Sequence, residues 1–544
     1  MIPLTSIRSV GDEGEHHTLL DLIIRGGTVV DGTGAPGIRA DVGVTGDRIT
    51  AIGDLTAAEG RRTLDATGMV VAPGFIDIHS HSDFTLLVDP RAQSAIAQGV
   101  TTEVIGNCGH GCAPLVEPER FWGNIYGHVP GFPTDWRTTA GYLERMDEGR
   151  PAVNIAALVP NGNLRLASVA DPSKPATADE TAAMVRHLEE GLDAGAFGYS
   201  TGLEYNAERA SPEEETAALC RVVARANGLY ATHTRNKEVR AVEAIEEGLR
   251  VAEASGVRIQ VSHIIPRRGG TPDALDRAMA SVESARAIGI DAAFDAHTRL
   301  HGITNLSAAL PADAFLGGPD EVRARLTDPA FRDRMRNYES LISSFALGGW
   351  DRVYLFKSGQ RPEQVGKSFQ ELAPSGGDAF DAILDVLAAE ADDPHAPMCI
   401  CHSYEEEELR RTFRHPLCTV GSDATALAVD GPLAGKEFLG AFTWAAWFYR
   451  RMVRETGDLT VEEAIAKLAA APADRLGLSD RGRIREHAHA DLAIFDPLTF
   501  GERGTLDDPN QLAEGMSHVI VNGVVALQNG TPTGDRGGRV LRRR

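Results

Sequence analysis

The chain has 544 residues, of which 42% are hydrophobic and 24% are charged. This composition is typical of a globular enzyme and excludes a disordered, collagen-like or disulfide-framework protein. Because 77 Asp and Glu residues outnumber 54 Lys and Arg residues, the formal net charge is −23. A nucleic-acid partner needs a basic surface, so we expect none here.

Sorting and membrane signals are missing from the sequence pattern. Residues 1–18 look like a loose extension without the basic segment and apolar core of a signal peptide. No apolar run reaches the ~20 residues of a membrane helix, and the six cysteines show no framework spacing. We therefore expect a cytoplasmic protein with reduced thiols and no membrane partner. A homo-oligomer is compatible with the sequence.

Both ends of the chain have β character. Short alternating runs bounded by Gly, Asn and Asp turn signals predict strands there: Leu22–Val30, Asp41–Val44, Arg48–Ile52, Ala490–Phe495 and Met516–Val525. We predict that residues 19–72 and 480–540 form one small composite β-sandwich. The basic tail, residues 537–544, is expected to be mobile.

Between these ends, short apolar runs alternate with amphipathic helical segments. The eight predicted strands are Phe75–Ile78, Thr102–Ile105, Asn154–Leu158, Ala196–Tyr199, Leu229–Thr232, Arg258–Val261, Asp291–Phe294 and Thr419–Gly421. Such alternation favours a parallel sheet, and eight units predict an α/β fold of the (β/α)8, TIM-like type over residues 73–479. The interval before the last strand is too long for one crossover, so residues 300–400 are predicted to form an inserted subdomain or lid.

The ends of five predicted strands carry residues that bind metals. The first ends in His79-Ser80-His81, whose two imidazoles share one face because strand side chains alternate. The other candidates are Cys108, His233, His263 and Asp423. Each alone has an ordinary explanation: a hydrogen-bonded histidine, a core cysteine or a helix-capping aspartate. Because barrel active sites lie at the carboxyl ends of the strands, their joint occurrence predicts a metal site.

These residues lie in motifs that resemble a known family. PGFIDIHSHSD resembles the first-strand signature of the amidohydrolase superfamily. QGVTTEVIGNCG, FGYSTGLEY, THTRN, VSH and GSDA resemble its N-acyl-D-amino-acid deacylase (D-aminoacylase) branch, as do DRGRI, ADLAIFDP and IVNG near the end. The resemblance spans residues 20–542, and the GNCG element with its cysteine is its most specific part.

The resemblance implies a zinc-dependent hydrolase that cleaves the amide bond of an N-acyl-amino-acid-like small molecule. Cys108, His233 and His263 would hold one tight Zn²⁺, and His79, His81 and Asp423 would form a second, weaker metal position. Zinc lowers the pKa of a bound water toward ~7. Asp423 would accept the water's proton and pass it to the leaving nitrogen. A nucleophilic role for Cys108 is the rival reading, which its zinc-ligand role disfavours.

Substrate recognition departs from the family pattern at three places. The family's lysine two residues after the last zinc histidine is Ile265 here, its Tyr-Pro-Tyr element is His297-Thr298-Arg299, and its His-Pro-Arg element is Gly435-Lys436-Glu437. Recognition of the substrate carboxylate is therefore expected to be altered. The candidate substrate-binding residues are Arg235, His297, Arg299 and Tyr205.

Two alternatives remain open from the sequence. The same fold could open a cyclic amide or imide, or hydrolyse another C–N bond. Alternatively, the chain could be a non-catalytic assembly protein, although six retained candidate ligands argue against a dead site.

Overall fold

The structure, a computed structural model, describes residues 19–373 and 377–543; the predicted N-terminal extension lies outside these residues. Eight parallel strands form the central sheet in chain order. They are Phe75–Asp77 (β1), Val100–Ile105 (β2), Asn154–Pro160 (β3), Gly198–Gly202 (β4), Leu229–His233 (β5), Arg258–Val261 (β6), Ala292–Ala296 (β7) and Cys418–Val420 (β8). A parallel bridge between Ser80 and Ala424 brings the first and last strands together.

The (β/α)8 barrel predicted from the alternating pattern is confirmed, since each predicted strand overlaps one strand of the barrel. Amphipathic helices cover it because their apolar faces need the sheet to be buried. Its α-helices are Thr85–Val88, Gln93–Ile96, Thr139–Glu148, Asn161–Ser168, Ala178–Asp193, Glu213–Arg225, Ala241–Ser255, Ala274–Ala287, Glu406–Arg414, Trp444–Tyr449, Val461–Ile465 and Ala471–Leu476. Two π-helical segments, Arg450–Glu455 and Ala466–Ala470, continue the last group.

The chain ends combine in one mixed nine-stranded sheet. Its strands are Leu22–Val29, Ile38–Thr45, Arg48–Gly53, Thr63–Asp65, Val70–Pro73, Leu492–Phe495, Met516–Val521, Val524–Gln528 and Thr531–Pro532. The two ends join where Val70–Pro73 pairs antiparallel with Leu492–Phe495. The composite β-region of the predicted fold class is thus present. The boundaries proposed for it stay predictions, because one apolar cluster runs from Val70 and Phe495 into the barrel layer.

Between β7 and β8 the chain forms an insertion with its own core. A three-stranded antiparallel sheet is built from His301–Asn305, Val353–Lys357 and Met398–His402. The accompanying α-helices are Pro319–Thr327, Pro329–Met335, Leu341–Phe345, Phe369–Leu372 and Ala379–Ala389. Their apolar side chains form a separate cluster around Leu326, Ile342 and Leu387, as expected of a subdomain that buries its own core.

The prediction of a mobile C-terminal tail is wrong for residues 537–543. Val540 bridges to Ile155 of β3, and the N–H of Leu541 donates to the Ile155 carbonyl. Leu541 is only 8% exposed and belongs to an apolar cluster that also contains Ile76 of β1 and Leu229 of β5. Basic composition predicted mobility, but burial of Val540 and Leu541 and main-chain hydrogen bonds to Ile155 hold the segment. In the two described ranges, no helix combines the length and apolarity needed to cross a membrane.

Candidate metal centre

The predicted ligands converge at the carboxyl ends of the barrel strands. Two groups have donor atoms within 4.8 Å of one another: Cys108 with His233 and His263, and Cys108 with His79, His81 and Asp423. Cys108 Sγ belongs to both groups, lying 3.1 Å from His79 Nε2 and 3.5 Å from His263 Nε2. The structure therefore brings together all six residues that the sequence singled out.

Three of these residues share an uncommon backbone conformation. Cys108, His263 and Asp423 lie two or three residues after strands and have φ values of +54°, +35° and +45°. Non-glycine residues enter this left-handed region at a cost of about 1–2 kcal/mol. Backbone strain of this kind, at three candidate metal ligands, is expected at a functional site.

Carboxylates behind two of the histidines fix which ring nitrogen faces the centre. Asp295 Oδ1 lies 3.1 Å from His79 Nδ1 and also accepts the His263 main-chain N–H at 2.7 Å. Glu204 Oε2 lies 2.8 Å from His233 Nε2. This arrangement leaves His79 Nε2 and His233 Nδ1 directed toward Cys108. Carboxylate–histidine pairs of this kind orient metal-binding imidazoles.

The donor set fits a zinc ion. Within the described ranges, the buried Nδ1 atoms of His81 and His233 have no hydrogen-bond partner, and a metal would satisfy such orphaned nitrogens. One thiolate and two imidazoles are a ligand set that catalytic Zn²⁺ uses, with a fourth position left for water or substrate. The residues present therefore fit the metal that the sequence motifs imply.

Two of the three predicted tight-zinc ligands, Cys108 and His263, are already in their metal-binding protonation states. Burial opposes ionisation of the Cys108 thiol, yet His79 and His263 hold its pKa well below the usual range. Burial and the nearby Lys237 lower the pKa of His263 to about 4. A thiolate and a neutral imidazole are the forms that coordinate metals. Burial opposes a charge on His233, yet its hydrogen bonds to Cys108 and Glu204 raise its pKa, so a metal would displace a proton from this third ligand.

Asp423 is held between the histidines and an arginine. Its Oδ1 lies 3.2 Å from His81 Nε2, while its Oδ2 accepts from Arg299 Nη2 at 2.5 Å. Burial raises the pKa of Asp423, but Arg299 and then His81 outweigh burial and keep the pKa well below its usual range. Arg299 Nη1 also donates to the main-chain carbonyls of Ser422 and Asp423. The carboxylate is therefore ionised and fixed in orientation.

The predicted substrate residues have different surroundings. Tyr205 and His297 line a cavity of about 30 Å³ beside the centre, together with His81 and Asp423. Arg299 contacts Asp423 instead of lining the cavity. The placement does not support Arg235 as a substrate residue. Its guanidinium pairs with Glu247 and donates to the main-chain carbonyls of Arg209 and Ser211.

Two cavity-lining cations escaped the sequence reasoning. Lys237 and Arg267 each follow a predicted zinc histidine by four residues, and that spacing is the one signal that could have identified them. Arg267 pairs with Glu204 and Glu238. Lys237 is 3% exposed, and its ammonium contacts His263. Burial and then Arg267 lower the pKa of Lys237 to about 8.

Comparisons with known proteins agree with this geometry. Residues 62–330 and 369–527 match the profile of the amidohydrolase family. N-acyl-D-glutamate deacylase of Alcaligenes xylosoxydans xylosoxydans is 36% identical over 534 residues, covering 96% of this chain and 97% of that protein. D-aminoacylase of the same organism is 32% identical over 537 residues, covering 96% and 98% of the two chains.

A solved structure extends the likeness to three dimensions. It is N-acyl-D-glutamate deacylase from Bordetella bronchiseptica, complexed with zinc and a phosphonate inhibitor that mimics the tetrahedral intermediate of the reaction. It superposes with a TM-score of 0.79 at 32% identity and covers 96% of this chain and all of that chain.

Proposed function

The chain belongs to the amidohydrolase family, in its D-aminoacylase branch, and we propose that it is a zinc-dependent deacylase of N-acyl-D-amino acids. The observation that carries the proposal is the convergence of Cys108, His233 and His263 beside His79, His81 and Asp423. Zinc in the homologous deacylase with this fold supports the choice of metal.

Cys108, His233 and His263 would hold the tight zinc. His79, His81 and Asp423 would hold a second, weaker metal, with Cys108 shared between the two positions. Zinc bound here would supply Lewis acidity and lower the pKa of water toward ~7, so that hydroxide is available near neutral pH. Glu204 and Asp295 would keep the two imidazoles they contact in the required orientation.

Asp423 would act as the general base and then as the general acid. Its Oδ1 faces the ligand cluster, whereas Arg299 holds Oδ2. Oδ1 would take the proton of the attacking water as the C–O bond forms. The same oxygen would return the proton to the nitrogen as the C–N bond breaks, giving a carboxylate and a free amine.

The proposed substrate is a small N-acylated D-amino acid. Support comes from the two relatives whose names specify D-glutamate or D-amino acids, both matched over 96% of this chain. Tyr205 and His297 would form walls of the substrate cavity.

The proposal is tested by assaying the zinc-loaded protein for amine release from N-acetyl-D-glutamate, N-acetyl-D-aspartate, N-acetyl-D-leucine and their L-isomers, and for ring opening of a cyclic imide. We expect hydrolysis of a D-substrate. Asp423→Asn should lower kcat about 10²–10⁴-fold, the range typical of a lost general acid–base, while one tight zinc is retained. Asp320→Asn is the matched control, because the Asp320 side chain is 99% exposed.

Failure would take one of three forms. If only the cyclic imide is hydrolysed, the enzyme is a cyclic amidase. If a folded protein without metal is fully active, the zinc assignment is wrong. If Asp423→Asn behaves like Asp320→Asn, Asp423 has no part in proton transfer.

A further inference from the structure

The cavity beside the metal-ligand cluster is lined by a buried cation, Lys237, that has no role in the proposed chemistry. Lys237 lies in the segment after β5 and lines the cavity together with His233, His263 and Tyr404. Only 3% of the residue is exposed. A buried ammonium is expected to face an opposite charge, because burying an unpaired charge is unfavourable.

The contacts of Lys237 satisfy only part of its hydrogen-bonding capacity. Its Nζ donates to the main-chain carbonyl of His263 and lies 2.5 Å from His263 Nδ1. An ammonium has three N–H donors, so these two contacts leave one N–H group to bind a ligand. Over residues 19–373 and 377–543, its side chain makes no ion pair; the neighbouring carboxylates of Glu204 and Asp423 act on it only at longer range.

The two arginines near the cavity, unlike Lys237, are already paired with carboxylates. Arg267 Nε lies 2.7 Å from Glu238, and its Nη2 pairs with Glu204. Arg299 pairs with Asp423 and donates to main-chain carbonyls as well. Among these three cations, Lys237 is therefore the one whose charge remains available to a ligand.

We propose that the Lys237 ammonium binds the α-carboxylate of the substrate and so makes the enzyme specific for acylated amino acids with a free carboxyl group. This inference rests on the proposed function. It assigns Lys237 as a specificity residue that positions the substrate and takes no proton from the reacting atoms.

The position of Lys237 selects the α-carboxylate over a side-chain carboxylate. Lys237 Nζ is 2.5 Å from Nδ1 of His263, whose other ring nitrogen is 3.5 Å from Cys108 Sγ. The ammonium thus lies one imidazole ring away from the ligand cluster. In an N-acyl-D-glutamate the α-carboxyl carbon is two bonds from the scissile nitrogen, whereas the side-chain carboxyl carbon is four bonds away. A group so close to the cluster reaches the nearer carboxylate.

The test compares three substrates that differ in one carboxyl group. N-acetyl-D-glutamate carries both carboxylates, N-acetyl-D-glutamine carries only the α-carboxylate, and the α-carboxamide of N-acetyl-D-glutamate carries only the side-chain carboxylate. For zinc-loaded Lys237→Met, kcat/KM should fall about 100-fold or more on the first two, as expected when one partner of a buried charged pair is removed. The loss on the α-carboxamide should be at least tenfold smaller.

Further variants separate recognition from a structural role. Lys237→Arg keeps the charge and should recover part of the lost kcat/KM. Lys237→Gln replaces the methionine variant if the latter does not fold. Lys174→Met is the control, since the Lys174 side chain is 73% exposed and pairs with Asp171. Calorimetry of D-glutamate binding to the zinc-loaded proteins gives a readout apart from turnover, and the dissociation constant should rise at least tenfold in Lys237→Met.

The outcomes distinguish this inference from the function on which it rests. Equal losses on all three substrates, or unchanged D-glutamate binding, would show that Lys237 only supports His263 and would overturn the inference while the deacylase proposal stands. A wild type that hydrolyses none of the N-acetyl-D-amino acids would overturn both.

Discussion

Replacing Glu204 by glutamine tests whether the carboxylates behind the histidines control metal binding. Glu204 is 2% exposed, lies 2.8 Å from His233 Nε2 and pairs with Arg267. Burial alone would raise its pKa, yet Arg267 and then His233 hold the pKa at about 2. Glutamine keeps the shape and an acceptor oxygen but removes the negative charge that polarises the His233 ring.

The expected effect can be estimated from the contacts. Loss of a carboxylate that orients a metal-binding histidine lowers metal affinity about 10- to 100-fold, which corresponds to about 1.4–2.8 kcal/mol of binding free energy. Glu238→Gln is the matched control. Glu238 is also a buried carboxylate, and it contacts Arg267 Nε at 2.7 Å. It has no ion pair or hydrogen bond with His233 in the described residues, so this variant perturbs the arginine without touching the proposed ligand.

The assay is zinc affinity by competition with a chelating dye, together with the thermal midpoint of the metal-free proteins. Both variants should lower the midpoint, since each leaves Arg267 with one carboxylate. Only Glu204→Gln should weaken zinc binding tenfold or more. If Glu204→Gln binds zinc as tightly as the wild type, or if both variants weaken it equally, the reasoning about His233 is refuted.

Two further predictions concern Glu208 and Gly202, which pack behind Cys108. Burial raises the pKa of Glu208 to about 7, against hydrogen bonds from the Gly202 N–H and Asn161. The folded protein therefore holds this proton more tightly than the unfolded chain, whose ordinary value is 4.5. The stability from this group is present below pH 4.5 and is lost as pH rises toward 7. Between pH 5 and 8 the thermal midpoint of the wild type should fall by about 1–3 °C relative to Glu208→Gln; a constant difference would contradict the shifted pKa. A β-carbon on Gly202 would lie 2.0 Å from the Cys108 carbonyl oxygen. Gly202→Ala should displace the Cys108 turn and weaken zinc retention at least tenfold. Gly318→Ala is the control and should have no effect, because the space around its β-carbon is open. Normal zinc retention in Gly202→Ala would argue against this steric coupling.

The barrel and the ligand cluster were predictable because both follow from strand positions. Buried apolar runs between amphipathic helices identify parallel strands, and the barrel geometry then brings the strand ends to one mouth. His79 and His81 share a face through the two-residue period of a strand. Cys108, His263 and Asp423 closely follow strands whose existence the pattern indicated, so topology alone placed them together.

Cations beyond the strand ends could not be assigned in the same way. The segment after β5 turns where Asn236 Oδ1 accepts the N–H groups of Glu238 and Arg240. That turn sends Lys237 into the cavity and Arg235, two residues earlier, to Glu247. Loop direction depends on such local hydrogen bonds and carries no periodic signal. The sequence reasoning therefore named Arg235 and missed Lys237.

Metal binding and carboxylate binding constrain a sequence differently. The metal ligands were therefore predictable from the sequence, whereas the cation that would bind the carboxylate was not. Zinc ligands must place donor atoms at about 2.0–2.3 Å from one point, so both the residue type and its position on the strand are fixed. A carboxylate can be approached by a long, flexible ammonium from several directions. Ile265, where the family pattern places a lysine, is 2% exposed within the main apolar cluster and offers no charge. Lys237, in the segment after β5, places an ammonium 2.5 Å from His263 Nδ1. A cation that binds a carboxylate can come from different strand ends in different sequences, so no fixed motif marks its position. Lys237 was therefore identified only from the three-dimensional arrangement.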